Sequence, residues 1–132
     1  MGTLIATGFD APLRIAQALE EGKTVGMLVD QYLTTGVPVT FFGRRTRANP
    51  TIVRIARRVE CPIHGVCVRR LPGGRFEIVL TEAIAPARDD AGKLDVDATM
   101  QIIFDIIENW IRETPEQWLW QHRRWRPQDS TL

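Results

Sequence analysis

The spacing of apolar residues in the first half of the chain predicts two amphipathic helices. Asp10 followed by Pro12 is typical of a helix start, and Gly22 is typical of a helix end. We expect the buried face of this helix to be formed by Leu13, Ala16 and Leu19. Asn49-Pro50 opens a second helix that extends to about Glu60. The two faces of the second helix are Ile52, Ile55, Ala56 and Val59 on one side, and Arg54, Arg57 and Arg58 on the other.

A third and longer helix is predicted near the C-terminus. Asp95 is its expected N-cap, and Thr114 before Pro115 is its expected end. Glu108 and Arg112 are spaced for an ion pair on its exposed side. The buried stripe is formed by Val96, Met100, Ile103, Ile107 and Trp110, widened by Phe104 and Ile111.

Short apolar runs between the helices predict strands. Thr24–Val29 has the composition of a buried strand, and two short extended pieces are expected around Gly36 and Gly43. Residues 63–69 and 76–81 are expected to pair as an antiparallel hairpin through a Pro-Gly-Gly turn. We therefore predict an α/β fold in which a mixed sheet with crossover helices is followed by a long C-terminal helix.

Composition narrows the class of protein. The 132 residues, 44% hydrophobic and 25% charged, suffice for one domain with one core. They exclude a disordered chain, a collagen-like repeat and a disulfide-dense secreted scaffold. No apolar run approaches the about 18 residues that span a bilayer, and no signal peptide is recognisable. Because there are only two cysteines, we expect a soluble protein of a reducing compartment.

The net charge of +1 conceals a basic middle segment. Residues 40–75 carry nine arginines against one glutamate, a net charge of +8, whereas residues 76–116 carry a net charge of −7. Arginine, which outnumbers lysine 15 to 2, binds phosphate and carboxylate groups in a bidentate manner. The basic segment is either a site for an anionic partner or a solvated surface. Nucleic acid is one candidate partner, although no aromatic residues for base stacking alternate with the arginines.

Neither a metal site nor a catalytic group can be assembled from these residues. Cys61, His64 and Cys67 have a C-x2-H-x2-C spacing, but on a strand the cysteines face one side and the histidine the other. Buried thiols are therefore favoured over zinc. Neither His64 nor His122 is followed five residues later by an acid, and known nucleophile, phosphate-loop and zinc motifs are absent. We predict no catalytic residue, metal or cofactor in this chain.

Three stretches remain as candidate contacts. Asp30-Gln31 follows a predicted strand at the carboxyl end, where open α/β sheets bind ligands, and the alternative is a simple turn. Phe41-Phe42 is either a core pair or an acyl-contact site. The run from Pro115 to Trp125 contains three of the four tryptophans next to arginines. This composition suits a headgroup-level membrane interface or a structural cation–π contact.

The run PEQWLWQHRRW at 115–125 resembles the C-terminal motif of the lipid A biosynthesis acyltransferases, the late lauroyl and myristoyl transferases. Other stretches agree in order and spacing: ALEEG at 18–22, LVDQ at 28–31, GVPVTFFG at 36–43, CPI at 61–63 and RLPGGRF at 70–76. The resemblance covers the chain from about residue 10 to 126. Thr40 stands where many relatives carry proline, and the loop at 44–47 is more basic than in the family.

The resemblance implies transfer of a fatty acyl chain from acyl carrier protein to a phosphorylated lipid A precursor. This takes place at the cytoplasmic face of the bacterial inner membrane and requires no cofactor. In the family a histidine with an acidic partner at H-x4-D/E acts as general base. That pair and a membrane anchor belong to the family's N-terminal half, which we expect to be missing from this sequence. The positions that match the family's motifs and are expected to bind substrate are Asp30, Gln31, Arg69, Arg70, Arg123 and Arg124.

The expected organisation is a single domain over residues 1–132, the C-terminal portion of a larger acyltransferase with a glycerolipid-acyltransferase-like fold. Residues 1–9 are interpreted as a truncated or disordered start and residues 126–132 as a tail. We expect the chain to be inactive alone, and its uncovered sheet edge to favour a homodimer. The alternative is a stand-alone arginine-rich module that binds anionic lipid or nucleic acid.

Overall fold

The computed structural model describes residues 2, 4–6 and 8–129, so the predicted start and tail lie partly outside the described residues. The α-helices in this part are α1 (Ala11–Glu20), α2 (Thr51–Val59) and α3 (Val96–Glu113). Each lies where the apolar spacing predicts it. The Asp95 carboxylate caps α3 by accepting a hydrogen bond from the Ala98 N–H at 3.0 Å. Within the described ranges, no helix combines the length and the apolar character needed to cross a bilayer.

The strands of the described part pair as two antiparallel hairpins. β1 (Val37–Phe41) pairs with β2 (Arg44–Ala48), and β3 (His64–Leu71) pairs with β4 (Arg75–Ala83). The α/β class and the long C-terminal helix are therefore confirmed. The two hairpins remain separate two-stranded sheets, because no strand of one is hydrogen-bonded to a strand of the other.

The segment Thr24–Val29 has no regular secondary structure and belongs to neither hairpin, so the prediction of a buried strand here is wrong. Alternate side chains are half-buried, as in a strand with one packed face, and Leu28 is 82% exposed. The apolar composition of the run favours an extended backbone locally. A strand also needs a neighbouring strand with which to form backbone hydrogen bonds. In the described part of the chain, no strand pairs with residues 24–29.

The main core lies between the first hairpin, α2 and α3. Its most deeply buried side chains include Phe41, Val53 and Met100, none of which is measurably exposed. A smaller apolar cluster joins α1 to α2 through Ile15, Ala16 and Ile55. The prediction that Leu13 is buried is wrong, because Ile15 and Ala16 turn toward α2 and leave Leu13 59% exposed.

The second hairpin packs one face on the C-terminal half of α3. Gly65 approaches the Trp110 indole so closely that a Cβ at this position would lie 2.6 Å from the ring. The opposite face of the hairpin consists of exposed apolar side chains, namely Val66, Val68, Phe76, Ile78 and Leu80. An apolar surface of this extent is unusual on a soluble monomer.

The chain after α3 folds back over the first hairpin. The Trp125 ring stacks on Phe41 with 5.7 Å between centroids, and its indole N–H donates to the Phe41 carbonyl at 3.1 Å. Asp129 is completely buried, 3.4 Å from the Arg47 guanidinium and 3.3 Å from the Tyr32 hydroxyl, which donates to it. Residues 124–129 therefore connect β2 to the segment that follows Thr24–Val29.

Candidate functional site

A largely apolar groove of about 1130 Å³ runs between residues 24–30 and β3. Residues 24–30 form one wall and β3 forms the other. Side chains of α3 line the space between the walls, among them Ile106, Ile107 and Trp110. A concave apolar surface of this size is the common form of a ligand site in a protein.

Gln117 and Trp118 join the two walls at one end of the groove. The Gln117 side chain accepts a hydrogen bond from the Arg70 N–H at 2.7 Å and donates to the Arg70 carbonyl at 3.2 Å. The Trp118 indole N–H donates to the Asp30 carboxylate at 3.1 Å. The carboxyl ends of residues 24–30 and of β3 therefore meet here.

Asp30 and Arg124, both predicted from sequence, form an ion pair at this end. Arg124 Nη2 lies 3.0 Å from Asp30 Oδ2, and Nη1 donates to the Asp30 carbonyl. The guanidinium also lies over the Trp118 ring, 4.0 Å from its centroid. We refer to Asp30, Trp118 and Arg124 together as the Asp30 lock.

The Asp30 lock is deeply placed. The Arg124 side chain is 3% exposed and that of Asp30 is 29% exposed. Burial lowers the pKa of the Arg124 guanidinium, and the nearby Asp30 carboxylate opposes this change. The lock fixes the turn after residues 24–29 against the C-terminal segment, so its geometry is that of a positioning element for the groove.

The two arginines at the end of β3 point in different directions. Arg69 forms ion pairs with Glu113 of α3 and, at 3.7 Å, with Glu77 of β4. The Arg70 side chain is exposed and forms no ion pair within residues 2, 4–6 and 8–129, while Gln117 holds its backbone. Arg70 is therefore the member of this pair that is open to an anionic ligand.

Gln31 and Arg123, the other two predicted contacts, lie on the surface. Both are exposed, and neither forms an ion pair or hydrogen bond with any other part of the chain that the structure describes. The structure thus joins Asp30 to Arg124 in one cluster and places Arg70 on the same end of the groove. It does not bring Gln31 or Arg123 into that cluster.

The turn of the first hairpin carries a backbone conformation that the sequence did not predict. Phe42 has a φ of 51°, in the left-handed region that non-glycine residues rarely adopt. Its N–H donates to the Glu108 carboxylate at 2.5 Å, and the Arg112 guanidinium lies 4.9 Å from the centroid of its ring. Burial would raise the pKa of Glu108, but the Phe42 N–H and Arg112 outweigh burial and lower it.

An exposed hydrophobic tip surrounds this turn. It consists of Phe42, Leu119 and Trp120, with the Phe42 and Trp120 rings 6.0 Å apart. Leu119 is 52% exposed and Trp120 is 50% exposed. Because Arg112 lies beside the tip, apolar and cationic groups face solvent together, which suits a membrane surface.

The basic segment does not form one continuous patch. Arg47 turns inward to Asp129 and to the Gly36 carbonyl, to which it donates at 3.0 Å. Arg57 pairs with Asp89 at 3.2 Å. The exposed arginines of β2 and α2 without an ion pair in the described part are Arg44, Arg45, Arg54 and Arg58. Of these, Arg44 lies 5.6 Å from the centroid of the Trp125 ring.

The histidines and cysteines form no recognisable centre in the described residues. No group of three potential metal ligands occurs among them. His64 is exposed, and its Nδ1 lies 3.0 Å from the Thr81 carbonyl. Within the described ranges, neither His64 nor His122 lies within ion-pair distance of a carboxylate.

Three residues make contacts in the structure that were not predicted from sequence. Glu108 was predicted to pair with Arg112, and it does so at 2.6 Å, but its bond to the hairpin turn depends on a residue 66 positions away. Gln117 and Trp118 belong to the aromatic C-terminal run, whose unusual composition was a signal. Nothing in the spacing indicates that they face Arg70 and Asp30.

Residues 11–127 match the family model described as bacterial lipid A biosynthesis acyltransferase. No individual curated protein matches the chain significantly. The matched range includes all three helices, both hairpins, the Asp30 lock and the hydrophobic tip.

Proposed function

Because the chain belongs to the bacterial lipid A biosynthesis acyltransferase family, we propose that it works as the C-terminal part of such an enzyme. In the proposed reaction, a hydroxyl of a phosphorylated lipid A precursor attacks the thioester of an acyl carrier protein. An ester forms, and the carrier thiol leaves with the proton of the hydroxyl. The family match over residues 11–127 is the observation that carries this proposal.

The chemical step needs a general base that this chain does not supply. We assign that base to a histidine with an acidic partner in an N-terminal half of the enzyme, carried by another polypeptide or a longer form of this one. The present chain contributes the groove and its carboxyl end. It is inactive alone, and in the complete enzyme it works at the cytoplasmic face of the inner membrane.

The substrate-binding roles follow from exposure and charge. The phosphorylated acceptor contacts Arg70 and Arg123, whose guanidinium groups are open to an anion. Asp30 and Arg124 act through the Asp30 lock, which holds the carboxyl end of the groove in place. Gln31 is exposed next to the lock and forms a polar edge, and Arg69 anchors β3 to α3 through Glu113.

An acyl-transfer assay tests the proposed reaction. The chain is incubated with an acyl carrier protein thioester and a phosphorylated glycolipid precursor, alone and with the complementing N-terminal half. Turnover is expected only for the combination. Activity of the chain alone that disappears on His64→Ala or His122→Ala substitution contradicts the proposal, because it locates the base here.

Acceptor binding is tested separately, with the phosphorylated glycolipid as probe. Arg70→Ala is expected to weaken binding about tenfold, since a charge-assisted bidentate contact is worth more than 1 kcal/mol. Arg54→Ala removes another exposed arginine, from α2, and is expected to leave binding unchanged. If the two substitutions weaken binding equally, Arg70 acts only through general charge attraction, and its proposed specific contact with the acceptor is wrong.

A second candidate function is binding to an anionic membrane surface. The observation that favours it over nucleic acid is the hydrophobic tip, which exposes Leu119 and Trp120 beside Arg112. Sedimentation with phosphatidylglycerol vesicles across a salt series measures this binding, and Trp120→Ser is expected to weaken it. Binding to duplex DNA of equal or greater strength supports the nucleic-acid module instead.

A further inference from the structure

The turn of the first hairpin carries a residue that its geometry disfavours. Its two central residues are Phe42 and Gly43, which lie between the paired residues Phe41 and Arg44. The φ angle is 51° at Phe42 and 69° at Gly43, and two positive values in succession are typical of a type I′ turn. Asparagine, aspartate and glycine favour the first position of this turn, whereas a bulky side chain is strained there. The backbone geometry therefore gives no reason for a phenylalanine at position 42.

A carboxylate of α3 holds this turn. Glu108 Oε2 accepts a hydrogen bond from the Phe42 N–H at 2.5 Å. The other oxygen, Oε1, accepts hydrogen bonds from Arg112 Nε at 3.0 Å and Nη2 at 2.6 Å. The Glu108 side chain is only 19% exposed, so water competes little for these charge-assisted bonds. A strained backbone conformation persists when the surrounding structure holds it in this way.

The strained turn places the Phe42 ring in the hydrophobic tip. The centroid of this ring lies 6.0 Å from that of Trp120 and 4.9 Å from the Arg112 guanidinium. Trp120 is held separately, because its indole N–H donates to the Pro115 carbonyl at 2.7 Å. Of the two aromatic rings in the tip, the Phe42 ring is therefore the one whose position depends on Glu108.

We propose that Glu108 is a positioning residue for membrane binding, which fixes the strained turn and so keeps Phe42 beside Trp120. The proposal rests on the second candidate function, in which the hydrophobic tip binds an anionic membrane surface. Strained conformations concentrate at functional sites, and this one adds an aromatic ring to the exposed side chains of Leu119 and Trp120. Binding to a membrane interface strengthens with the apolar area that a protein presents to it.

This role and simple electrostatics predict changes of opposite sign. Glu108 carries a negative charge beside the tip and neutralises Arg112. Its replacement by any neutral residue therefore reduces repulsion from an anionic membrane and leaves Arg112 unpaired, so charge attraction alone predicts tighter binding. A positioning role predicts weaker binding, and only when the acceptor oxygen for the Phe42 N–H is lost.

Sedimentation with phosphatidylglycerol vesicles at neutral pH compares two neutral replacements of similar length. Glu108→Met removes the acceptor oxygen and is expected to weaken binding about tenfold, or about 1.4 kcal/mol. Glu108→Gln removes the same charge but retains an acceptor, and its affinity is expected to stay within about threefold of the wild type. Glu20→Gln removes an exposed carboxylate of α1 that has no ion pair in the described part of the chain. This charge control is expected to bind at least as tightly as the wild type.

A substitution at position 42 shows whether Glu108 acts through the turn. Asparagine adopts a positive φ more readily than phenylalanine, and it brings no ring to the tip. Phe42→Asn is therefore expected to weaken vesicle binding about tenfold by itself. In this background, Glu108→Met is expected to cause no further loss, because the ring that Glu108 positions is absent.

Amide hydrogen exchange reports the state of the turn in each variant. The Phe42 N–H is expected to exchange faster in Glu108→Met than in the wild type, because its hydrogen-bond acceptor is removed. Unchanged exchange in β3 and β4 shows that the variant is folded, so that weaker vesicle binding does not arise from unfolding.

Three results overturn the proposal. Tighter binding by Glu108→Met than by the wild type identifies Glu108 as a repulsive charge only. Equal binding by Glu108→Met and Glu108→Gln shows that the acceptor oxygen has no role. A further loss from Glu108→Met in the Phe42→Asn background shows that Glu108 acts through another residue. Absence of vesicle binding by the wild type is a different failure, because it refutes the membrane function itself and the proposal with it.

Discussion

Replacing Arg124 by alanine tests the Asp30 lock, and the adjacent Arg123 provides a matched control. Arg124→Ala removes two hydrogen bonds to Asp30 and the guanidinium that lies over Trp118. Arg123→Ala removes the same side chain from an exposed position with no ion pair in the described part of the chain. The two variants have the same composition, so any difference in stability arises from position.

The expected loss for Arg124→Ala is about 3 kcal/mol of unfolding free energy. Removing one partner of a buried ion pair costs about 3–5 kcal/mol. Two features place the expected loss at the lower end of this energy range. The Asp30 side chain is 29% exposed, so water partly solvates the remaining carboxylate. Arg124 Nε is buried without a partner, and the substitution removes that unsatisfied group. Arg123→Ala is expected to change stability by less than about 0.5 kcal/mol.

Urea unfolding followed by tryptophan fluorescence measures both variants. With a slope of about 1.5 kcal/mol/M, the Arg124→Ala midpoint falls by about 2 M. A double-mutant cycle with Asp30→Ala is expected to give a coupling energy of about 1–3 kcal/mol. Equal losses for the two arginine variants, or a coupling energy near zero, refute the interpretation of the Asp30 lock.

Two further predictions concern packing and pH. Gly65→Ala is expected to destabilise the fold by about 1–3 kcal/mol, because the new Cβ would lie 2.6 Å from Trp110. Gly26→Ala is the control and is expected to be tolerated, because no atom lies within 4 Å of the new Cβ. Thermal unfolding compares them, and similar melting temperatures count against the close contact. Because the pKa of Glu108 is lowered in the fold, its carboxylate contributes stability above the ordinary glutamate pKa, and this contribution is lost as the pH falls through the lowered pKa. The stability difference between wild type and Glu108→Gln is therefore expected to narrow from about pH 6 to about pH 3, and a constant difference contradicts it.

The sequence predicts most of the secondary structure because the signals are local. A capping aspartate and a periodic stripe locate α3, and a glycine-containing turn locates the second hairpin. The same local reasoning fails for Thr24–Val29, because pairing is a property of neighbours and not of the strand itself. It also fails for Leu13, since the buried face of a short helix depends on where the next helix approaches.

The candidate site, like the fold, was predicted from the sequence only in part. Six positions were predicted from motifs, and the structure joins two of them, Asp30 and Arg124, across 94 residues of chain. Arg123 and Arg124 are identical in residue type and adjacent in sequence, so no pattern distinguishes the buried arginine from the exposed one.

By itself, then, the sequence determined the helices, the second hairpin, the arginine-rich charge pattern and the motifs that identify the family. These depend on residue type and on spacing within a few turns. Only the tertiary structure decided which arginine enters the core, that Gln117 covers the end of β3, and that Phe42 adopts a left-handed turn. Each of these depends on groups brought together from distant parts of the chain, where burial and hydrogen-bond geometry select among residues that look equivalent in the sequence.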